Sequence, residues 1–205
     1  MSLFPMFVKL SDRRCIVAGG GEVAEAKIPG LLEAGARVRV IAPEVTEAIS
    51  TWAREGRLEW TPKKFEPGDL AGAFIVIAAT SAPGVNQEVF REAEAHGIFC
   101  NAVDDPERCH FYYPAVVRRG PLQIAISTGG FSPALAQRLR RELEAQFGPE
   151  YETWLEWLGT IRSVLRAESD NPEDTRKFLH LLASNEMFEQ FLRASRNSRS
   201  NGRVA

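Results

Sequence analysis

The run Cys15-Ile16-Val17-Ala18 has the texture of a buried strand, and it leads directly into Gly19-Gly20-Gly21-Glu22-Val23-Ala24 and then a helical pattern. Few arrangements constrain a fold as strongly as a strand, a glycine turn and a helix in immediate succession. Gly19 permits the tight turn out of the strand, Gly21 lets the backbone approach a pyrophosphate, and small Ala24 lets the helix pack close to the sheet. The first helical amides, including those of Glu22 and Val23, would then face the anion. A glycine turn without a ligand would show the same three residues. The position of the motif, inside a first βαβ unit, is what favours dinucleotide binding.

The rest of the chain extends that unit. Phe7 to Leu10 reads as a short lead-in, Val38 to Ala42 as a second strand stopped by Pro43, and Val45 to Glu55 as a helix. Leu58 to Thr61 alternates as a strand, and Pro62 with Lys63 and Lys64 marks it as an edge. Phe74 to Ala79 is apolar at every position, as a parallel strand covered on both faces must be. A helix at Val85 to Ala95 and a strand at Ile98 to Val103 complete an alternation that predicts an α/β fold with a parallel, doubly wound sheet. The first helix should run from about Glu22 to Ala34, where Gly35 ends it, with a kink at Pro29-Gly30.

After residue 110 the texture changes. Tyr113 to Val117 and Leu122 to Ser127 flank Arg118-Arg119-Gly120-Pro121 and read as a β-hairpin. Ser132-Pro133 opens a helix reaching about Phe147, and Gly148-Pro149 breaks it. Apolar residues from Tyr151 to Leu165 recur at helical spacing, and Asn171-Pro172 starts one further helix carrying Phe178, Leu182, Phe188 and Phe191. This gives a Rossmann-like domain at residues 1–112, a hairpin and helix segment at 113–148, a helical domain at 149–195 and a solvated tail at 196–205.

With 44% hydrophobic residues, 25% charged residues and a net charge of −2, the chain has the balance of a globular domain rather than of a nucleic-acid binder. No stretch approaches the roughly 18 apolar residues of a membrane span, and the amino terminus has no leader pattern, so the cytoplasm is the expected compartment. Cys15, Cys100 and Cys109 are odd in number and suit reduced thiols; no spacing suggests a structural metal site.

In an open α/β sheet, ligands bind beyond the carboxyl ends of the strands. The candidate cofactor residues are therefore Gly19, Gly21, Glu22, Val23 and Ala24, then Pro43 and Glu44 after the second strand and Thr80 after the long apolar one. No acid ends the second strand where many NAD proteins place one, which leaves the choice between NAD and NADP open. Asp104, following the last strand, suits a general base, and equally a turn cap before Pro106. His110 suits a structural, hydrogen-bonded role better than an acid–base one.

Together, Gly19 to Ala24, Asn101-Ala102-Val103-Asp104-Asp105-Pro106, Phe111 with Pro114, and Ser127-Thr128-Gly129-Gly130-Phe131-Ser132-Pro133 resemble the precorrin-2 dehydrogenase and ferrochelatase part of siroheme synthases. The resemblance covers roughly residues 3 to 195. It implies NAD-dependent oxidation of precorrin-2 to sirohydrochlorin, in some members followed by insertion of ferrous iron as a substrate. It also implies a homodimer built through the segment after the Rossmann domain, with Asp104 as the catalytic residue.

A polycarboxylate tetrapyrrole calls for basic partners, and Arg108, Arg118, Arg119, Arg138 and Arg141 are the candidates, Arg118 foremost. Ser127, Thr128, Gly129 and Gly130 precede a helix N-terminus and could hold a substrate carboxylate, or simply form the cap and turn. Two other readings remain at this level: a dehydrogenase whose product goes to a separate chelatase, and a nucleotide-sensing module without turnover.

Overall fold

The computed structural model describes residues 3–169 and 171–201, with side chains as far as residue 195. The chain forms two compact units, one spanning Phe4–Tyr113 and the other running from Pro114 onward.

The first unit is built on five parallel strands: β1 (Arg14–Ala18), β2 (Arg37–Ile41), β3 (Glu59–Thr61), β4 (Ile75–Ala78) and β5 (Phe99–Ala102). Their order is β3-β2-β1-β4-β5, which puts β3 at an edge as its proline and lysines suggested. The helices are α1 (Glu22–Glu33), α2 (Glu47–Arg54) and α3 (Pro83–His96). Side-chain alternation sorts each strand onto two faces. Cys15, Val17, Val40 and Ile77 pack with Ala24, Ile28 and Ile49 on one side. Ile16, Ile41, Val76 and Cys100 pack with Leu70, Val89 and Ala93 on the other. Each fully buried large aliphatic side chain contributes about 1.5–3 kcal/mol, so this double-sided core is what holds the strand ends in register.

The lead-in from Phe7 to Leu10 forms no regular element: Phe7 and Val8 are exposed, and only Leu10 reaches the core. Helix α1 runs through Pro29 to Glu33, and Gly35 just past its end takes a φ of 74°, the stop expected there. Apolar anchors on both sides of the proline, Ile28 and Leu31, hold both turns against the sheet, offsetting the one hydrogen bond lost. The single helix expected after Asn171 is two, α6 (Pro172–Leu182) and α7 (Asn185–Asn201). Ser184 makes the break, its Oγ accepting from the Met187 amide at 3.3 Å as an N-cap does.

The second unit starts with an antiparallel hairpin of β6 (Ala115–Arg119) and β7 (Leu122–Ile126), followed by α4 (Pro133–Gln146) and α5 (Glu150–Glu168). Ser132 caps α4 by accepting from the Leu135 amide, and Asn171 caps α6 by accepting from the amides of Glu173 and Asp174. From Pro114 onward, the segments expected at 113–148 and 149–195 fall in this one unit, where α4 and α5 both pack on the hairpin. Within it, Phe188 of α7 sits 4.5 Å from Tyr151 and 4.6 Å from Trp154, both of α5, by ring centroids. The expected tail from residue 196 is helical as far as Asn201, and residues 202–205 lie outside the described residues.

Candidate active site

The reversal of strand order beside β1, between β1 and β4, is where an open sheet leaves a crevice at its carboxyl edge. A cleft of about 890 Å³ lies there. Gly19, Gly21, Glu22, Val23, Pro43, Glu44, Thr80 and Asp104 all line it, so seven of the eight cofactor candidates and the catalytic candidate converge on one space. The eighth, Ala24, lies fully buried beneath it against the sheet, the packing role its small size suggested.

The glycines of the turn have different duties. A Cβ on Gly19 would lie 2.3 Å from the Ala79 carbonyl oxygen, and the residue has a φ of 123°. A Cβ on Gly20 would meet the Glu44 carbonyl oxygen at 2.2 Å. Both positions are therefore closed by the protein's own backbone. Gly21 has open space where its Cβ would be, and as the N-cap of α1 it offers no side-chain acceptor to the first helical amides. Those amides, beside an open and bare helix start, fit the pyrophosphate of a dinucleotide.

Other residues shape the walls. Thr80 is pinned by Asn86, whose Oδ1 accepts from the Thr80 amide at 3.1 Å and from its hydroxyl at 2.8 Å, while Nδ2 donates back to the Thr80 carbonyl. The Trp60 indole donates to the Ala42 carbonyl at 3.0 Å and ties the edge strand to the end of β2. Lys64 and Phe65, from the loop after β3, also line the cleft. The sequence marked Lys64 only as an edge signal; its place in the site depends on strand order. Asn86 had no sequence signal beyond its place near the start of a helix.

Asp104 is exposed on the cleft wall and holds a left-handed backbone, φ 63°, one of two non-glycine residues with positive φ among those described. Asp105 beside it is occupied differently, since its carboxylate pairs with Arg108. His110 accepts from the Cys100 amide through Nδ1 at 3.0 Å and meets Glu94 through Nε2 at 2.6 Å, the structural role expected for it.

The substrate-binding candidates belong to the second unit. Ser127 Oγ accepts from the Gly129 amide and Thr128 Oγ1 from the Ser132 amide, both at 3.1 Å. Gly129 and Gly130 have φ values of 60° and 84°. The loop thus forms the cap and turn, while both hydroxyl protons remain available to a carboxylate. Arg119 is committed to structure: its Nε donates to the Phe147 carbonyl and an Nη to that of Glu144, closing the carboxyl end of α4. Arg108 is held by Asp105, and Arg138 lies 3.6 Å from Glu142. Arg118 is exposed and, with Arg141, has no ion pair among the described residues.

Sheet order, glycine cradle and cleft define an NAD(P)-binding Rossmann unit. Residues 6–115 match the family described as putative NAD(P)-binding, and this chain belongs to it. Residues 119–146 match the central segment of sirohaem biosynthesis proteins, which covers the hairpin and α4. Siroheme synthase 2 of Yersinia enterocolitica is 40% identical over 192 residues, 94% of this chain and 41% of that protein. The siroheme synthase of Methylobacillus flagellatus is 40% identical over 178 residues, 87% of this chain and 38% of the other. The chain thus spans about two fifths of the length of these relatives. Among solved structures, SirC, a precorrin-2 dehydrogenase, superposes with a TM-score of 0.79 at 27% identity, covering 90% of this chain and 91% of that one.

Proposed function

We propose that this chain is an NAD-dependent precorrin-2 dehydrogenase, oxidising precorrin-2 to sirohydrochlorin in siroheme biosynthesis. The observation that carries the reading is Asp104, on the wall of the same cleft that the Gly19–Val23 cradle opens into. The similarity to SirC over nine tenths of both chains supports it.

The oxidation removes a hydride and a proton from the tetrapyrrole. NAD, when bound, supplies the hydride acceptor. The amides at the start of α1 hold the pyrophosphate, and the Thr80 turn, fixed by Asn86, shapes the wall beside it. Asp104 accepts the proton as general base and releases it to solvent, to which it is exposed. Arg118 and the hydroxyls of Ser127 and Thr128 bind substrate carboxylates. Insertion of ferrous iron would be a second activity of the same carboxylate, which could accept the pyrrole protons displaced as the metal enters; the macrocycle supplies the ligands. A cytoplasmic setting belongs to this reading and suits three free cysteines; no described helix is long and apolar enough to cross a membrane. A homodimer belongs to it as well, since Phe131, Leu181 and Val164 in the second unit are 90%, 59% and 47% exposed.

The test adds precorrin-2 and NAD to the pure protein and follows NADH absorbance and the sirohydrochlorin spectrum. Asp104→Ala should leave NAD affinity intact and slow oxidation by about 10²–10⁴-fold, the usual contribution of a positioned base. Asp105→Ala, which loses only the pair with Arg108, should cost far less. Equal, small losses in both variants would remove Asp104 from the chemistry. Binding of NAD without turnover would favour the nucleotide-sensing alternative.

A further inference from the structure

Asp104 could not keep its left-handed backbone unaided, because a non-glycine residue there costs of order 1–3 kcal/mol and persists only where its surroundings enforce it. The enforcement is visible. After β5 the chain leaves the sheet at Ala102, turns through Asp104 and returns antiparallel, with Asn101 and Cys109 paired across the base of the loop. The His110 amide donates to the Cys100 carbonyl at 2.8 Å, closing the base a second time. The Cys109 thiol then reaches into the loop, with the Ala102 and Asp105 carbonyls each 3.2 Å from Sγ, one on either side of Asp104.

Asn101 anchors that thiol from below. It is 7% exposed, the buried polar residue of the described core, and Nδ2 donates to the Phe111 carbonyl at 2.8 Å and to Cys109 Sγ at 3.4 Å. A buried amide with both donors used is strongly fixed in place.

We infer that Asn101 and Cys109 are positioning residues for the oxidation, a clamp that holds the Asp104 backbone in its left-handed turn and thereby aims its carboxylate into the cleft. The inference rests on the proposed role of Asp104 and adds the residues through which that role is set. Neither Asn101 nor Cys109 lines the cleft, so their effect must pass through Asp104. A displacement of about 1 Å at a catalytic group can cost about 10²-fold in rate, so loss of the clamp should register in turnover before it registers in binding.

The decisive variant is Cys109→Ala, which removes all three thiol contacts, those to the Ala102 and Asp105 carbonyls and that from Asn101 Nδ2; Cys109→Ser keeps a donor and an acceptor at the same position. Single-turnover oxidation, with enzyme in excess over precorrin-2 and NAD saturating, makes slow rates measurable. Cys109→Ala should slow the reaction about 10–100-fold, with NAD affinity and melting temperature near those of the parent, and Cys109→Ser should recover most of the loss. Asn101→Asp, which keeps the shape but removes both donors, should slow it similarly. On an Asp104→Ala background, Cys109→Ala should cost nothing further, because sites acting through one group are not additive. A parental rate in Cys109→Ala, or the same fold-loss on both backgrounds, would overturn the clamp. A parental rate in Asp104→Ala alone would remove the role of Asp104 and the clamp with it, whereas a slow Asp104→Ala beside a fast Cys109→Ala sinks the clamp only.

Discussion

Gly21→Asp separates the cofactor's requirement from the fold's. The Cβ of residue 21 would meet nothing within 4 Å, so the substitution carries no steric penalty. Gly21 is the N-cap of α1 with an extended backbone and no capping side chain, and aspartate is among the best residues for that position. Replacing glycine there gains a few tenths of a kcal/mol. The carboxylate would meanwhile occupy the anion site. Two unit charges about 5 Å apart at an effective dielectric near 20 repel by about 3 kcal/mol, which is about two orders of magnitude in Kd. The variant should therefore melt at or slightly above the parental temperature while its NAD affinity falls at least about 100-fold by calorimetric titration. Because the penalty is electrostatic, added salt should recover part of it, and Gly21→Ala should bind NAD far better than Gly21→Asp. Unchanged affinity in folded Gly21→Asp would refute the placement of the pyrophosphate. A loss of stability would refute the account of an open, uncapped helix start.

Light scattering at micromolar concentration should give about twice the 22.8 kDa chain mass, and a stable monomer would contradict the proposed dimer. Burial pushes the Cys15 thiol up to about 11 and the Cys100 thiol up to about 12, so both should resist iodoacetamide at mildly alkaline pH until the protein unfolds. Their folded pKa values lie above the ordinary 9.0, so their contribution to stability is intact below pH 9 and declines as pH rises toward 11 to 12. Denaturant melts at pH 8 and pH 10 should show that loss, and a protein more stable at pH 10 would contradict the sign.

The parts of the fold legible in the sequence were those whose signal is local. An all-apolar run such as Ile75–Ala78 has one explanation, and Ser132-Pro133 and Asn171-Pro172 announce helix starts by their own hydrogen-bonding chemistry. The cradle and Asp104 were legible because the carboxyl edge of a parallel sheet collects whatever follows its strands. The break between α6 and α7 was hidden, since apolar spacing continues across Ser184 and a serine N-cap looks like any surface serine. Lys64, Asn86 and Cys109 act through neighbours that only strand order or a returning loop brings close. Periodicity carries no trace of such pairings.

The unequal duties of Gly19, Gly20 and Gly21 bear on how this motif should be weighed in other chains. Two of the three glycines answer to a neighbouring carbonyl, that of Ala79 or Glu44, and would be retained by a descendant that had given up its cofactor altogether. Only the third has open space around it, which leaves it to the proposed nucleotide. A homologue that keeps the first pair but carries a bulky or acidic residue in the third place should be regarded as a retired enzyme with an intact scaffold. Selection for architecture and selection for chemistry can thus be told apart within three consecutive positions.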